Sequence, residues 1–336
     1  MVNNLRKTIV SVGLLGLLAI LPIFFHGSNY IMNILILCLI WGVMAASWDL
    51  ILGYANVFSF GHLSFFIIGG YTSGLLAEYL GLSPWLGYIA GGLAASLIGF
   101  LIGIPCLRLQ GMYLAIVTFS LNFVLPTFIV WAGPGKFENF STGGSWGLER
   151  IPSPSLFGYV FSRKELVPWY YLTLAFFVLF ISIIYIIIKS NVGLAFIALR
   201  DAEQQAKSLG INEYKYKLMV FAISAFIAGI AGAYYAHFFG LISTASMSLD
   251  VFLIVLIMVL FGGLGVFPGA AIGAFIITIV NELLRPTLEW RLVILGGIVI
   301  LTMMFMPKGV MDILAALGRL GRRIIKIKQA PNSAPT

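Results

Sequence analysis

Apolar positions in this chain fall in long unbroken runs, not in the alternation of a half-buried strand or the one-sided stripe of a soluble helix. A run of about 20 residues, as a helix, crosses a hydrocarbon core of about 30 Å. Ten such runs are present, at 8–25, 30–49, 65–82, 85–107, 112–131, 169–188, 218–239, 251–264, 269–283 and 292–306. They predict an all-α, polytopic transmembrane helix bundle of about ten spans, with eight as the lower count. The eighth and ninth runs are short and meet at Gly262-Gly263-Leu264-Gly265-Val266-Phe267-Pro268-Gly269, so they are expected to be kinked or partly re-entrant. The stretch 52–64 is also irregular, with Gly53, Asn56, Ser59, Gly61, His62 and Ser64 set among apolar residues. Irregular backbone at membrane depth survives only where protein or water satisfies it.

Composition agrees. Of 336 residues, 60% are hydrophobic and only 10% charged, against about 25% charged in an ordinary soluble domain. That excludes a soluble globular enzyme, a disordered chain and a disulfide scaffold. The 37 glycines suit close helix packing in a bilayer. Cys38 and Cys106 both lie inside apolar runs and read as packing residues.

The net charge of +8 reads as membrane topology, because basic residues gather in alternate connections. With the N-terminus inside, fourteen of the twenty Lys and Arg residues fall in inner segments and six in outer ones. This predicts N-in and C-in, with an even number of spans. Arg6 and Lys7 precede the first run, but no small-x-small cleavage site follows, so an uncleaved first span is expected. The chain divides into a membrane domain, 1–310, and a basic tail, 311–336. Within the first part lie an outer loop at 133–168 and an inner loop at 189–217. The tail sets Ile313, Leu314, Leu317 and Leu320 against Arg319, Arg322, Arg323 and Lys326. It reads either as an interfacial helix held by anionic lipid or as a topology-setting basic segment.

Chemistry-bearing motifs are sparse. There is no GxxxxGK[ST] or HExxH, and His26, His62 and His237 are scattered, so neither a P-loop nor a metal site is expected. Asp49, Glu78, Asp250 and Glu282 sit near predicted span ends, within reach of water or headgroups. A proton-coupled carrier needs an acid deeper than that. If solute moves uphill, the energy comes from elsewhere.

The inner loop is the most informative segment. On a helix, Phe196, Leu199, Ala202 and Ala206 form a small apolar face that Leu209 continues, Arg200, Asp201, Glu203, Gln204 and Lys207 cover the rest, and Gly210 ends it. Two readings stand: the ridge seats in a groove on a soluble partner, or it packs back on the bundle ends. Asn56, Ser59, His62 and Ser64 are candidates for a polar translocation path, or for hydrogen bonds that pack helices. Gly262, Gly263, Gly265 and Gly269 read as a gating junction or as tight packing.

The run Ala198-Leu199-Arg200-Asp201-Ala202-Glu203-Gln204-Gln205-Ala206-Lys207-Ser208-Leu209-Gly210-Ile211-Asn212 resembles the coupling segment of ABC-transporter permeases, and most closely that of the LivM-type branched-chain amino acid permeases. Leu199 stands for the usual Ile, Gln205 for one Ala, and Leu194 where the family often has Arg. Other blocks follow in order: Trp48 to His62, with Asp49 and Asn56 departing from the usual Asn and Gly; Arg108 to Ala115; Thr142-Gly143-Gly144-Ser145-Trp146-Gly147-Leu148; Lys217 to Gly232; Phe261 to Gly273; and Met306-Pro307-Lys308-Gly309. The resemblance covers nearly the whole chain.

This resemblance implies a membrane subunit of an importer in a prokaryotic plasma membrane, moving branched-chain amino acids by alternating access. Urea, short amides or other small amino acids are the alternative solutes, and a stand-alone carrier or channel the alternative class. It implies a second, LivH-type permease partner, two ABC ATPase subunits and an extracytoplasmic binding protein, with no nucleic acid. The chain itself is expected to bind no cofactor and to catalyse nothing, ATP and Mg belonging to the ATPases. Phe196, Leu199, Arg200, Asp201, Glu203 and Gly210 would couple to an ATPase. Thr142, Gly143, Gly144 and Trp146 would dock the binding protein.

Overall fold

The computed structural model describes residues 16–25, 27–109, 111–134, 136, 141–156, 158–287, 290–305 and 309–311. The basic tail beyond 311, the start of the first run and the Met306-Pro307-Lys308 part of the last block lie outside the described residues. Each of the ten apolar runs contains a helix. In chain order these are α1 Gly16–Phe25, α2 Asn29–Asp49, α3 His62–Leu80, α4 Pro84–Cys106, α5 Met112–Trp131, α6 Leu166–Lys189, α9 Glu213–Phe239, α10 Leu249–Gly262, α11 Gly269–Leu283 and α12 Trp290–Phe305. Two short helices, α7 Asn191–Asp201 and α8 Glu203–Ser208, fill the loop between α6 and α9.

Among the described residues six helices are long and apolar enough to cross a membrane, and four apolar ones are shorter. At 1.5 Å per residue, α10 and α11 are each only about 21–23 Å long, as their short runs predict. One π turn, Leu50–Tyr54, continues α2 beyond the expected span end. The chain then runs without helix to α3.

The core is a seam of small residues. α2, α3 and α9 are mostly buried (78%, 61% and 67% of their apolar windows), whereas α4, α5 and α6 are about one-third buried and turn large apolar side chains outward. On α4 the residues Gly87, Gly91, Ala95, Gly99 and Gly103 recur every fourth position, so they share one face, and all are buried. That face meets α3 and α9. A Cβ on Gly91 would lie 2.6 Å from the Gly69 carbonyl oxygen of α3. A Cβ on Gly232 of α9 would collide with the carbonyl of Phe66, and one on Gly69 with that of Gly229. Backbones touch because side chains are missing, which is how helices associate where lipid offers no hydrophobic drive.

The connections sort onto two ends. At one, the strand end, β1 Leu148–Glu149 pairs antiparallel with β4 Leu241–Ile242, and β2 Ser155–Leu156 with β3 Tyr159–Val160. Tyr79 Oη accepts from Ser141 N (2.8 Å), Trp85 Nε1 donates to Ser155 O (2.7 Å), and Tyr30 Oη donates to Glu282 Oε1 (2.8 Å), all at this end. At the other, the helical end, lie α7, α8, the π turn, the α4–α5 connection and the α10–α11 connection.

Candidate functional site: the helical-end junction and the strand-end cap

At the helical end the loop helices are set by local signals. Ser190 caps α7 through a bond from Gly193 N (3.4 Å), and Asn212 caps α9 through one from Lys215 N (3.0 Å). The single helix expected over the loop is broken at Ala202, whose φ of −154° and ψ of 72° end α7 and start α8. Gly210, at φ +86°, turns the chain out of α8 as expected.

The break changes what the apolar ridge does. Phe196 (1% exposed), Leu199 (3%) and Ala206 (3%) are turned into the bundle, and Phe196 packs edge-on to Tyr216 of α9. Of the two readings of the loop, the structure supports packing back: Phe196 and Leu199 anchor α7 and are not open to a partner. Glu203 is likewise engaged. Its carboxylate takes Lys207 Nζ (2.9 Å) and Lys217 Nζ (3.0 Å), and Glu213 accepts from Lys217 (2.5 Å) and pairs with Lys207, so four charges tie α8 to the first turn of α9. These partners hold the Glu203 pKa below, and that of Lys207 above, its ordinary value. Asp201 stays exposed, and Leu209, expected to continue the apolar ridge, instead projects with 84% of its surface open.

Arg200 points the other way. Its Nε donates to Asp201 Oδ1 (2.8 Å), and its Nη1 donates to the carbonyl of Gly53 in the π turn (3.2 Å). Asp49, expected within reach of water, is instead 4% exposed, and its Oδ1 accepts from Gly265 N (2.8 Å). The reason is the extra turn of helix below it, which places Asp49 inside the bundle, against the α10–α11 connection. Gly53 and Gly265 face each other: a Cβ on Gly265, at φ +67°, would sit 2.6 Å from Arg200 Nη1 and 2.7 Å from Gly53 O. The predicted glycine junction is close packing throughout. A Cβ on Gly262 would collide with the Gly269 carbonyl, and Gly263 abuts Gly309.

The four residues proposed for a polar path separate. Asn56, at φ +52°, is exposed on the non-helical segment. Ser59, His62 and Ser64 are buried. Ser47 Oγ donates to Met44 O (2.8 Å), so it accepts from His62 Nε2 (2.9 Å), and Ser64 Oγ donates to Asn122 Oδ1 (2.8 Å). Asn122 Nδ2 donates to Phe60 O (2.8 Å), and Phe60 N donates to Thr118 Oγ1 (2.9 Å). This clasp from α5 satisfies the irregular backbone at membrane depth. Within one chain His62 and Ser64 thus bond to α2 and α5, whereas the Ser59 hydroxyl and His62 Nδ1 are buried without a hydrogen-bond partner among the described residues. Thr118 and Asn122 escaped the sequence reading, although two polar residues four apart in an apolar run are the signal of such a clasp.

At the strand end, Thr142, Gly143 and Gly144 form a tight turn. Thr142 Oγ1 donates to Ile129 O (2.5 Å), both glycines have positive φ, and a Cβ on Gly143 would collide with the Gly147 carbonyl. Only Trp146, 84% exposed, projects from the predicted docking set. The cap is fastened by two residues the sequence did not single out. His237 Nδ1 donates to Pro152 O (2.6 Å) and its Nε2 accepts from Ser73 Oγ (2.8 Å). Arg163 donates to the carbonyls of Ile151 (2.5 Å), His237 (3.1 Å) and Phe238 (3.2 Å).

Long apolar helices, a backbone-to-backbone seam and polar groups clasped inside it define a multi-pass membrane protein. Residues 30–305 match a family model described as the permease component of branched-chain amino acid transport systems. The LivM permease protein of the high-affinity branched-chain amino acid transport system of Escherichia coli K12 is 30% identical over 98% of this chain and 80% of its own length. Its Salmonella typhimurium counterpart is 30% identical over 85% and 71%. The LivH permease protein of Salmonella typhimurium is 24% identical over 81% and 91%. No solved structure matches. The chain belongs to this permease family and is a membrane permease subunit of the LivM type.

Proposed function

We propose that this chain is one of two membrane subunits of an ATP-binding-cassette importer for branched-chain amino acids in a prokaryotic inner membrane. It works beside a LivH-type permease, above two ATPase subunits, and receives solute from an extracytoplasmic binding protein. The chain binds no cofactor itself; ATP and Mg belong to the ATPases. The observation that carries this reading is the 30% identity to a LivM permease over 98% of the chain.

The helical end is cytoplasmic. Ten crossings with both termini inside account for the segregation of connections, since every even-numbered crossing then returns to the helical end. The basic residues of α7, α8 and the start of α9 support that side. The ATPase rides on the exposed surface that the loop leaves open, namely Asp201, Leu209 and the turn at Gly210. Phe196, Leu199 and Glu203 hold that surface in place from behind. Trp146 marks the face toward the binding protein.

The test is co-purification from native membranes followed by reconstitution. A second permease, two P-loop ATPases and a secreted binding protein should come down together and move leucine, isoleucine or valine at the expense of ATP. A nucleoside permease of Lactococcus lactis is 23% identical over 55% of the chain, so uridine is the control solute, alongside urea. Transport by the purified chain alone, without ATP, would refute the reading.

A further inference from the structure

We infer that Arg200 is a positioning residue, a strut that carries movement of the α7–α8 loop into the two places where the bundle's helices are broken. The inference rests on the reading of that loop as the ATPase-facing surface. Three segments distant in sequence meet at the Arg200 guanidinium. Its Nε is held by Asp201 of its own helix (2.8 Å), so the group is oriented from the loop side. Its Nη1 is bonded to Gly53 O (3.2 Å) in the π turn, and the absent Cβ of Gly265 would lie 2.6 Å from that nitrogen. Asp49 closes the far side by accepting from Gly265 N (2.8 Å).

The chemistry suits a strut. A planar guanidinium bonded at two nitrogens has a fixed direction, whereas apolar contacts such as those of Phe196 and Leu199 allow sliding. Both targets are pliant: a π turn is a local defect in the helical ladder, and the 263–268 connection is free of helix. A displacement of α7 is therefore delivered where φ and ψ can absorb it, and α2 and α10–α11 are swung together.

The test uses the complete complex in proteoliposomes, with radiolabelled leucine moved per ATP hydrolysed as the readout. Arg200→Gln should lower that ratio about tenfold, within the range found for residues that couple distant sites, with the ATPase subunits still bound. Arg200→Lys, which keeps the charge and one donor, should restore part of it. Gly265→Ala, which displaces the guanidinium from the bundle side, should reproduce the defect. An unchanged ratio in Arg200→Gln overturns the strut. Loss of the ATPase subunits from that variant also overturns it, because Arg200 would then be a partner contact. The strut is read separately from transport by spin labels at Leu194 and Leu264, which are 58% and 38% exposed, in the purified chain. The inter-label distances should be narrowly distributed in the native protein and broadened in Arg200→Gln. An unbroadened distribution sinks the strut whatever the chain transports, whereas failure of the native complex to import leucine with ATP sinks only the functional reading.

Discussion

The two ends of the bundle are held in opposite styles. At the strand end, paired strands, the His237 bridge and the three carbonyls gathered by Arg163 fasten the 141–165 loop to α3 and α9 at many points. At the helical end, one guanidinium bonds the loop to the broken end of α2, one carboxylate of α2 bonds the α10–α11 connection, and a four-charge cluster on the surface ties the loop to α9. The strand end is thus a lid bolted to the bundle's centre, and the helical end a joint. An importer of the proposed kind needs this asymmetry. The outer face must present a constant surface to a docking protein, while the inner face must yield to its motor.

The contrast is broken most severely at Gly147. Its φ is +84°, and a Cβ there would meet the Ile242 carbonyl of the paired strand. Gly147→Ala should destabilise the purified protein by about 3 kcal/mol, combining left-handed backbone strain with the displaced strand. Tryptophan fluorescence during thermal unfolding in detergent would show it, and an unshifted transition would mean the cap does not contribute to global stability. Arg163→Ala comes next, at about 1–2 kcal/mol by the same assay, since the side chain is partly solvated and its charge-assisted bonds are discounted accordingly. Arg200→Gln should cost less, below about 1 kcal/mol, because a single carbonyl loses its donor. If it destabilised more than Arg163→Ala, the description of a bolted lid and a light joint would be reversed.

The smallest expected effect is on pH. The pKa of Glu203 is depressed, first by its bond from Lys207, so its contribution is complete above the ordinary carboxylate pKa. It is lost as pH falls through the lower folded value. Lys207 is raised, first by Glu213, so its contribution is complete below the ordinary lysine pKa and fades as pH rises through the higher folded one. Between these limits the α8–α9 tie should be insensitive to pH. Protection factors of amides 203–213, with the intrinsic pH dependence of exchange divided out, should stay flat near neutrality and fall only in acid or strong base, with the strand end unaffected.

The helices were legible because lipid demands long apolar runs, and the two runs read as short became α10 and α11, two of the four shorter apolar helices among the described residues. The junction Gly262 to Gly269 was legible because glycines cluster wherever backbones touch. The direction of side chains was not. Phe196 and Leu199 form a ridge in either orientation, and only the break at Ala202 and the ring of Tyr216 decide that it faces inward. Asp49 looked like a span-end charge because nothing in its own neighbourhood announces that helix continues through Tyr54. Its partner, Gly265, lies 216 residues away, a distance over which a single sequence carries no pairing signal. Arg163 and His237 were opaque for the same reason.

The seam of α3, α4 and α9 has a consequence for how the molecule can be observed. With carbonyl against glycine along its length, the trio has no slack in which one helix can slide past another. Distance changes within it should be near zero in every state, which makes it a reference frame. Labels placed on Glu78, near the strand end of α3, and on the exposed Leu101, toward the helical end of α4, would serve as fixed stars against which the travel of every other helix in the transport cycle can be charted.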